Sequence, residues 1–554
     1  MSTSPLGSVN NWTPPVIRWW AAPTPIGPPG RLFARWLFLR ALGGIYFSAF
    51  FSLIFQIRGL IGPHGLLPAN LYLQNLAEHL GPVRYWYVPT LLWLGSSDSA
   101  LLVLCWAGLI ASVLVICNLW PRASLLVCFA AFLSFVAAAQ DFSGYQSDGM
   151  LLSAGILAIF FAPPGFRPRF GECHPPARAP WMLLQFLWFT IYFESGVAKY
   201  LGGDPQWRDF TALYDYYQNG PLPTWIAWYF AKFPHGFQYS MGVLTLAIEL
   251  ALVFLFLFPR RLRILCFWIV TPFQIGLILT ANYTFLNYLV LALGVLLLDD
   301  AYLLQFFPRH WAKPCRVNLE TAQVLPSENS ARHTDTRTPQ LWFYVRKAIS
   351  TAGAILSALL LFWIGYGMFY LLLNEFWPHP PLPNAPVVLL DGFRVANQYG
   401  LFGRMTRFRY EIEFQGSNDG GKTWLPYKFR FKPQDLNERP GIYAPYQPRF
   451  DWNLWFASLG DWRENMFVVR TEQQLLLNNP KVIHLFRSDP FPNGPPQQVR
   501  AMLWQYWFTD LETKRATGDW WRRQLLGLYA PVLERLPDGR IVATQIPDQA
   551  FPAP

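Results

Sequence analysis

The 554-residue chain is 53% hydrophobic and 18% aromatic but only 14% charged, where an ordinary soluble domain is roughly one-quarter charged. That deficit, with 26 Trp and 46 Phe, excludes a plain soluble globule and points to lipid contact framed by aromatic belts. The formal charge of +11, from 44 basic and 33 acidic residues, does not imply nucleic acid: the basic residues gather in loops between apolar runs, where a membrane topology needs them.

Residues 1–30, with "TPPVIRWWAAPTPIGPPG", read as a Pro-rich tail that is disordered or lies on a surface, without a cleavable signal peptide. Runs able to span a bilayer, which takes about 20 mainly apolar residues, follow at 36–57, 99–119, 123–139, 146–163, 181–201, 237–258, 262–280, 284–303 and 347–374. The fourth is the weakest, since Gln146 and Asp148 open it and Pro163-Pro164 closes it. The loops alternate in charge. Arg31 and Arg35 precede the first run, Arg122 lies between the second and third, "PPGFRPRFGECHPPARAP" follows the fourth and "PRRLR" the sixth. Residues 304–346 add Arg309, Lys313, Arg316, Arg332 and Arg337, whereas "QDFSGYQSDG" and "TANYTFLN" carry no Lys or Arg.

A positive-inside bias then puts the N-terminus in the cytoplasm. The expectation is a polytopic α-helical membrane bundle of about nine spans: eight within 31–303, a basic cytoplasmic loop at 304–346, and a last span at 347–374. An odd count leaves residues 375–554 on the lumenal or periplasmic side. One miscounted span inverts that assignment.

The last part changes pattern. "RFRYEIEFQ" alternates Phe408, Tyr410, Ile412 and Phe414 with Arg409, Glu411 and Glu413, the period of a strand with one buried face. "WLPYKFRF" repeats the pattern with Tyr427, Phe429 and Phe431. Between them "SNDGGKTW" has the form of an Asp box. Asp419 is placed to accept loop N–H groups, Gly420 and Gly421 to take positive φ, and Ser417 and Trp424 to close the turn, with Trp424 anchored in the core. A sialidase reading lacks the repeated boxes of a propeller. "DWNLWFASLG" sets Trp452, Trp455, Phe456 and Leu459 on one helical face. "EQQLLLNNPKVIHLF" reads as a helix broken near Pro480, and "VRAMLWQYWFT" as a strand. The expected domain is α+β and β-sandwich-like.

Chemistry-bearing residues are few. The eight His show no ligand spacing, and the six Cys form no Cys-x-x-Cys, so no metal, cofactor or thiol exchange is expected. No Cys follows Cys315, which leaves the last domain without a disulfide. Within the apolar runs, Glu194, Lys199, Glu249 and Asp148 stand out, because an ionised group at the bilayer centre costs about 2.5–3.5 kcal/mol on insertion scales. Ser195 and Lys199, four apart, share a helix face; Glu194 and Lys199 do not. Either Lys199 snorkels outward while Glu249 bonds a neighbouring helix, or Lys199, Glu249, Asp148 and Glu194 build a polar pocket open to the outer side.

Several long stretches, among them "QIRGLIGPHGLLPA", "SGVAKYLGGDPQWRDFTAL", "GPLPTWIAWYFAKFP", "YGLFGRMTRFRYEIEFQGSNDGGKTW", "YQPRFDWNLWFASLG" and "GDWWRRQLLGLY", resemble the lipase maturation factor family from about residue 36 to 535. The resemblance implies a multi-pass membrane protein that assists folding and assembly of secreted lipases. It implies the ER membrane, as in eukaryotic relatives, or the inner membrane of a bacterium, which the absence of a retrieval tail makes plausible. The implied partners are a secreted lipase or other exported client and the bilayer. Candidate client contacts in the outer domain are Arg449, Trp452, Trp455, Trp520, Trp521 and Arg522. The first eight spans are also distantly similar to the vitamin K-dependent carboxylase superfamily, through Gly196 to Lys199 followed by Trp207. Its catalytic His has no counterpart in "QDFSGYQSDGM". A membrane enzyme acting on a lipid or peptide is the alternative; a transporter lacks the paired broken spans of inverted repeats.

Overall fold

Helices form at all nine expected places. The computed structural model describes residues 30–307 and 340–547; the Pro-rich tail and most of the basic loop before the last span lie outside the described residues. The helices are α1 Leu32–Ile61, α2 Asp98–Ile116, α3 Pro121–Ala138, α4 Gln146–Phe161, α5 Arg178–Leu201, α6 His235–Leu250, α7 Arg260–Thr280, α8 Leu286–Gly294 and α9 Gln340–Phe376. Six are long and apolar enough to cross a membrane: α1, α2, α3, α6 with its 3-10 continuation to Leu257, α7 and α9. α4 and α8 are shorter, and α5 carries Glu194 and Lys199. Length and composition alone thus support six crossings, against an expectation of about nine.

A helix that is apolar all round must face other helices or lipid, and both occur here. In its most apolar stretch α1 is 56% buried and α7 only 17%, so α1 is central and α7 peripheral. Small residues let α1 approach its neighbours. A Cβ on Gly108 of α2 would stand 2.3 Å from the Phe50 ring, and one on Gly155 of α4 2.0 Å from the Tyr46 hydroxyl.

A cluster of basic groups lies at one end of the bundle. Asp300 accepts the N–H groups of Leu32, Phe33 and Ala34 at 2.7–3.1 Å, capping α1 from 268 positions further along the chain than Leu32. Beside it Arg31 donates to the carbonyls of Leu296 and Leu298, Arg35 to those of Phe170, Gly171 and His174, and Arg260 pairs with Asp299 at 2.6 Å. The C-terminal domain packs on the other end, where Gln56 of α1 meets Gln447 and Arg449. On the way there, residues 385–402 run against the bundle: Trp363 donates to Pro386 O, Asn397 to Gly149 O and Ser153 Oγ.

The domain holds one antiparallel sheet. Its strands are β1 Arg409–Ser417, β2 Leu425–Pro426, β3 Gln498–Phe508, β4 Trp521–Leu528, β5 Val532–Arg535 and β6 Ile541–Gln545. β1 pairs with β3 along its whole length, from Arg409 opposite Tyr506 to Ser417 opposite Gln498. The other edge of β3 takes β4 and then β5, and β6 closes the order β2-β1-β3-β5-β6.

Three expectations need correction. Among the described residues no second sheet forms, so the domain is not a sandwich. Helices α10 Arg449–Ala457 and α11 Met466–Leu476 cover the sheet instead, burying Ile412, Phe414, Phe450, Leu454, Val468 and Leu503 in one core. The second hairpin strand shrinks to two residues, although Tyr427 and Phe429 are buried as the alternation requires. The polar face of β1 is not solvated: Arg409, Glu411 and Glu413 are all buried. Arg409 and Lys432 each pair with Glu411, and Arg523 pairs with Glu413 at 2.9 Å. Strand periodicity reports alternation and is blind to whether a second, polar layer covers the other face.

Candidate functional site

The helical spacing of Ser195, Lys199 and their neighbours turns one face of α5 toward α6. There Lys199 Nζ donates to both carboxylate oxygens of Glu249, each at 2.9 Å, and to Ser195 Oγ. Ser195 Oγ in turn donates to Glu249 Oε1 at 3.3 Å. Lys199 is 5% exposed and Glu249 also 5%, so the lysine is held inside and does not snorkel. Gly196 makes this possible: Glu249 Cβ lies 2.9 Å from where a side-chain carbon would be. A salt bridge so enclosed holds two charges that cancel, and breaking it leaves one of them stranded.

The pair sits in the wall of a cavity of about 410 Å³ bounded by α5, α6, α7, α8 and the segments around Trp207–Phe230 and Tyr399–Phe402. A second polar chain also lines it. Tyr192 donates to Gln274 Oε1 at 3.1 Å, and Gln274 donates to Asn287 Oδ1 at 2.8 Å. Sequence reasoning passed over Gln274 and Asn287, although amides inside apolar runs were the available signal.

Two of the four acidic and basic residues expected in the pocket lie elsewhere. Asp148 pairs with Arg449 through both oxygens, at 2.7 and 2.9 Å, with both side chains fully buried. Arg449 also donates to Phe142 O. This bidentate pair joins α4 to α10, so its place is the bundle–domain junction. Glu194 points away from Lys199 and accepts the N–H of Tyr399 at 2.7 Å, holding the chain that returns from α9.

The residues considered for client contact are mostly internal. Arg449, Trp452, Trp455, Trp520 and Trp521 are all buried, and only Arg522 is exposed, with its guanidinium 5.4 Å from the Trp507 ring. Trp452 packs on Tyr145, Trp455 donates to Asn219 O, and Trp520 meets Trp228. Trp521 lies on Phe508. Trp455 and Trp520 join the domain to the 205–230 segment and Trp452 joins it to Tyr145, while Trp521 packs within the domain; they form no contiguous exposed patch.

The turn behaves as the Asp box requires, with one difference. Asp419 Oδ1 accepts from Lys422 N and Thr423 N at 3.0 and 2.9 Å, and Gly421 N donates to Ser417 Oγ. The Thr423 N–H above all lowers the Asp419 pKa to about 2. Gly420 and Gly421 take φ of 68° and 82°. Trp424 is half-buried under the Arg500 guanidinium, 4.0 Å away, and is not a core anchor. Nothing in the loop reaches the cavity; its role is to turn the chain.

Residues 33–305 match the family described as "Lipase maturation factor transmembrane domain", and residues 395–531 the "Lipase maturation factor C-terminal domain". Lipase maturation factor 2 of Gallus gallus is 31% identical, over 91% of this chain and 82% of its own length. Lipase maturation factor 1 of Bos taurus is 30% identical over 92% and 91%, and lipase maturation factor 2 of Homo sapiens 31% over 91% and 83%. No solved structure matches the chain. With relatives at this identity along nearly its full length, and with both family domains in order around a helical membrane bundle, the chain belongs to the lipase maturation factor family.

Proposed function

We propose that the protein is a membrane-embedded maturation factor that assists the folding and assembly of secreted lipases or other exported clients. The observation that carries this reading is the near-full-length similarity to proteins named lipase maturation factors. In the same proposal all nine helices cross the bilayer, 31–303 and 347–374 are the membrane part, 304–346 is cytoplasmic, and 375–554 face the ER lumen or periplasm. What supports the sidedness is charge: the domain packs on the end of the bundle away from Arg31, Arg35 and Arg260, and basic ends stay in the cytosol. Client contacts then fall on the exposed surface around Arg522. The relatives carry no enzyme name, and the carboxylase-like alternative has no support among them.

The test is complementation. Cells lacking their own family member are given the full chain together with a secreted lipase, and lipase specific activity is measured at equal secreted mass. Restored specific activity is expected. Inactive, aggregated lipase in the presence of the correctly accumulated protein, across several secreted lipases, overturns the reading.

A further inference from the structure

The cavity beside Lys199 has an opening, and the opening faces apolar surface. α6 and α7 meet chiefly through the 3-10 stretch after α6, Leu252–Leu257, so the two helices diverge beyond it. Leu244 of α6 and Pro272 of α7 both line the cavity and are exposed on the bundle's outside. Around them Val243, Trp268, Ile275 and Leu279 are exposed too, as expected of a lipid-facing surface. The cavity therefore opens sideways toward hydrocarbon.

Its interior has two characters. Ile191, Ile248, Phe273, Leu277, Leu286 and Val290 make an apolar wall, and about 410 Å³ falls within the roughly 300–1,000 Å³ of ordinary ligand sites. At the polar end stand Ser195 and the Lys199–Glu249 pair. These two are the charged groups among the lining residues, and they neutralise each other. Tyr283 also lines the space, and so does Tyr216. The Tyr283 hydroxyl is buried without a hydrogen bond of ordinary geometry, although the Tyr216 phenol is a neighbour. The two phenols face each other there, and a ligand oxygen can complete their hydrogen bonding.

We infer that the cavity is a lipid-binding site, entered laterally between α6 and α7, that takes an uncharged acyl lipid bearing hydroxyl and ester oxygens. The acyl chain lies along the apolar wall; a lipid hydroxyl donates to the oxygens of Ser195 and Glu249, whose lone pairs are not all taken, and the lipid's remaining oxygens turn toward the phenols of Tyr216 and Tyr283. A net anionic headgroup is disfavoured, because the one lysine in the wall is already matched by Glu249 and a further buried charge has no partner. This inference does not rest on the lipase reading.

The probe is a diazirine-bearing monoacylglycerol, photolysed with the full chain in nanodiscs and mapped by mass spectrometry. Labels are expected on α6 and α7 at the cavity-lining positions, competed by unlabelled monoacylglycerol but not by phosphatidylglycerol. Leu277→Trp fills the cavity and Leu244→Trp, at the tolerant mouth, blocks it. Each is expected to lower lining labels about tenfold, an affinity loss of about 1.4 kcal/mol, while labels on the outer face stay unchanged. Should Leu277→Trp misfold, Leu244→Trp alone decides. Labels spread evenly over the outer face and insensitive to both variants overturn the site; equal competition by the anionic lipid overturns the neutral headgroup.

Discussion

At the residue scale, burial decides how each charged side chain behaves. Asp451, at the start of α10, is 2% exposed and accepts the N–H groups of Phe431 and Lys432 at 3.3 and 3.2 Å. Desolvation outweighs these bonds and the nearby Lys432, so its pKa rises to about 6. The unfolded value is roughly 3.9. Between the two the folded domain holds a proton that the unfolded chain has released, so this residue makes the fold more stable as pH falls from about 7 to 4. Two pKa units correspond to roughly 3 kcal/mol. Glu472, also raised by burial, acts in the same sense, so the comparison must be made against a variant. Melting of the detergent-purified protein between about pH 4.5 and 7.5 is expected to show a flatter profile for Asp451→Asn than for the parent. Parallel profiles would refute the assignment. Asp419 is the opposite case: exposed and bonded to loop N–H groups, it stays ionised down to about pH 2.

At the scale of elements, polar contacts fix how helices meet. The Asp148–Arg449 pair docks α10 onto α4. Its residues lie 301 positions apart, a separation at which the sequence shows two charges but not their pairing. Removing one partner from a buried pair costs about 3–5 kcal/mol, because the other charge is left alone. Arg449→Met is therefore expected to lower the melting temperature sharply, and Asp148→Asn on top of it to recover part of the loss. The double-mutant cycle checks this; additive losses would mean that the two groups are not coupled. Helix placement itself was readable, since apolar runs of spanning length have few alternatives. The break before Pro480 appeared as expected, between Leu476 and Pro480. The sheet was less readable. β3 is legible as "VRAMLWQYWFT", while β4, β5 and β6 lack clear alternation, so periodicity does not mark them.

At the scale of the whole molecule, the arrangement is a bundle with a cluster of basic groups, Arg31, Arg35 and Arg260 among them, at one end and a folded domain at the other. Native cysteines allow the proposed orientation to be tested. Cys105, Cys128 and Cys266 are buried, whereas Cys117 and Cys173 are exposed at the basic end. In a chain carrying Cys315→Ser and Ala543→Cys, on the exposed β6 edge, a membrane-impermeant maleimide is expected to reach residue 543 from the export side. It should reach Cys117 and Cys173 only from the cytosol. The reverse pattern would invert the topology and remove the proposed meeting with secreted clients. By itself the sequence determined the membrane class, the sites of nine helices, the hairpin turn and the family, because these depend on local composition, spacing and motif. Tertiary structure alone decided which charges pair and which aromatic residues are buried. It sent Asp148 to Arg449 and Glu194 to the Tyr399 backbone, kept Lys199 with Glu249, and laid a polar layer over β1. Those outcomes depend on contacts between residues far apart in the chain, and local periodicity carries no record of them.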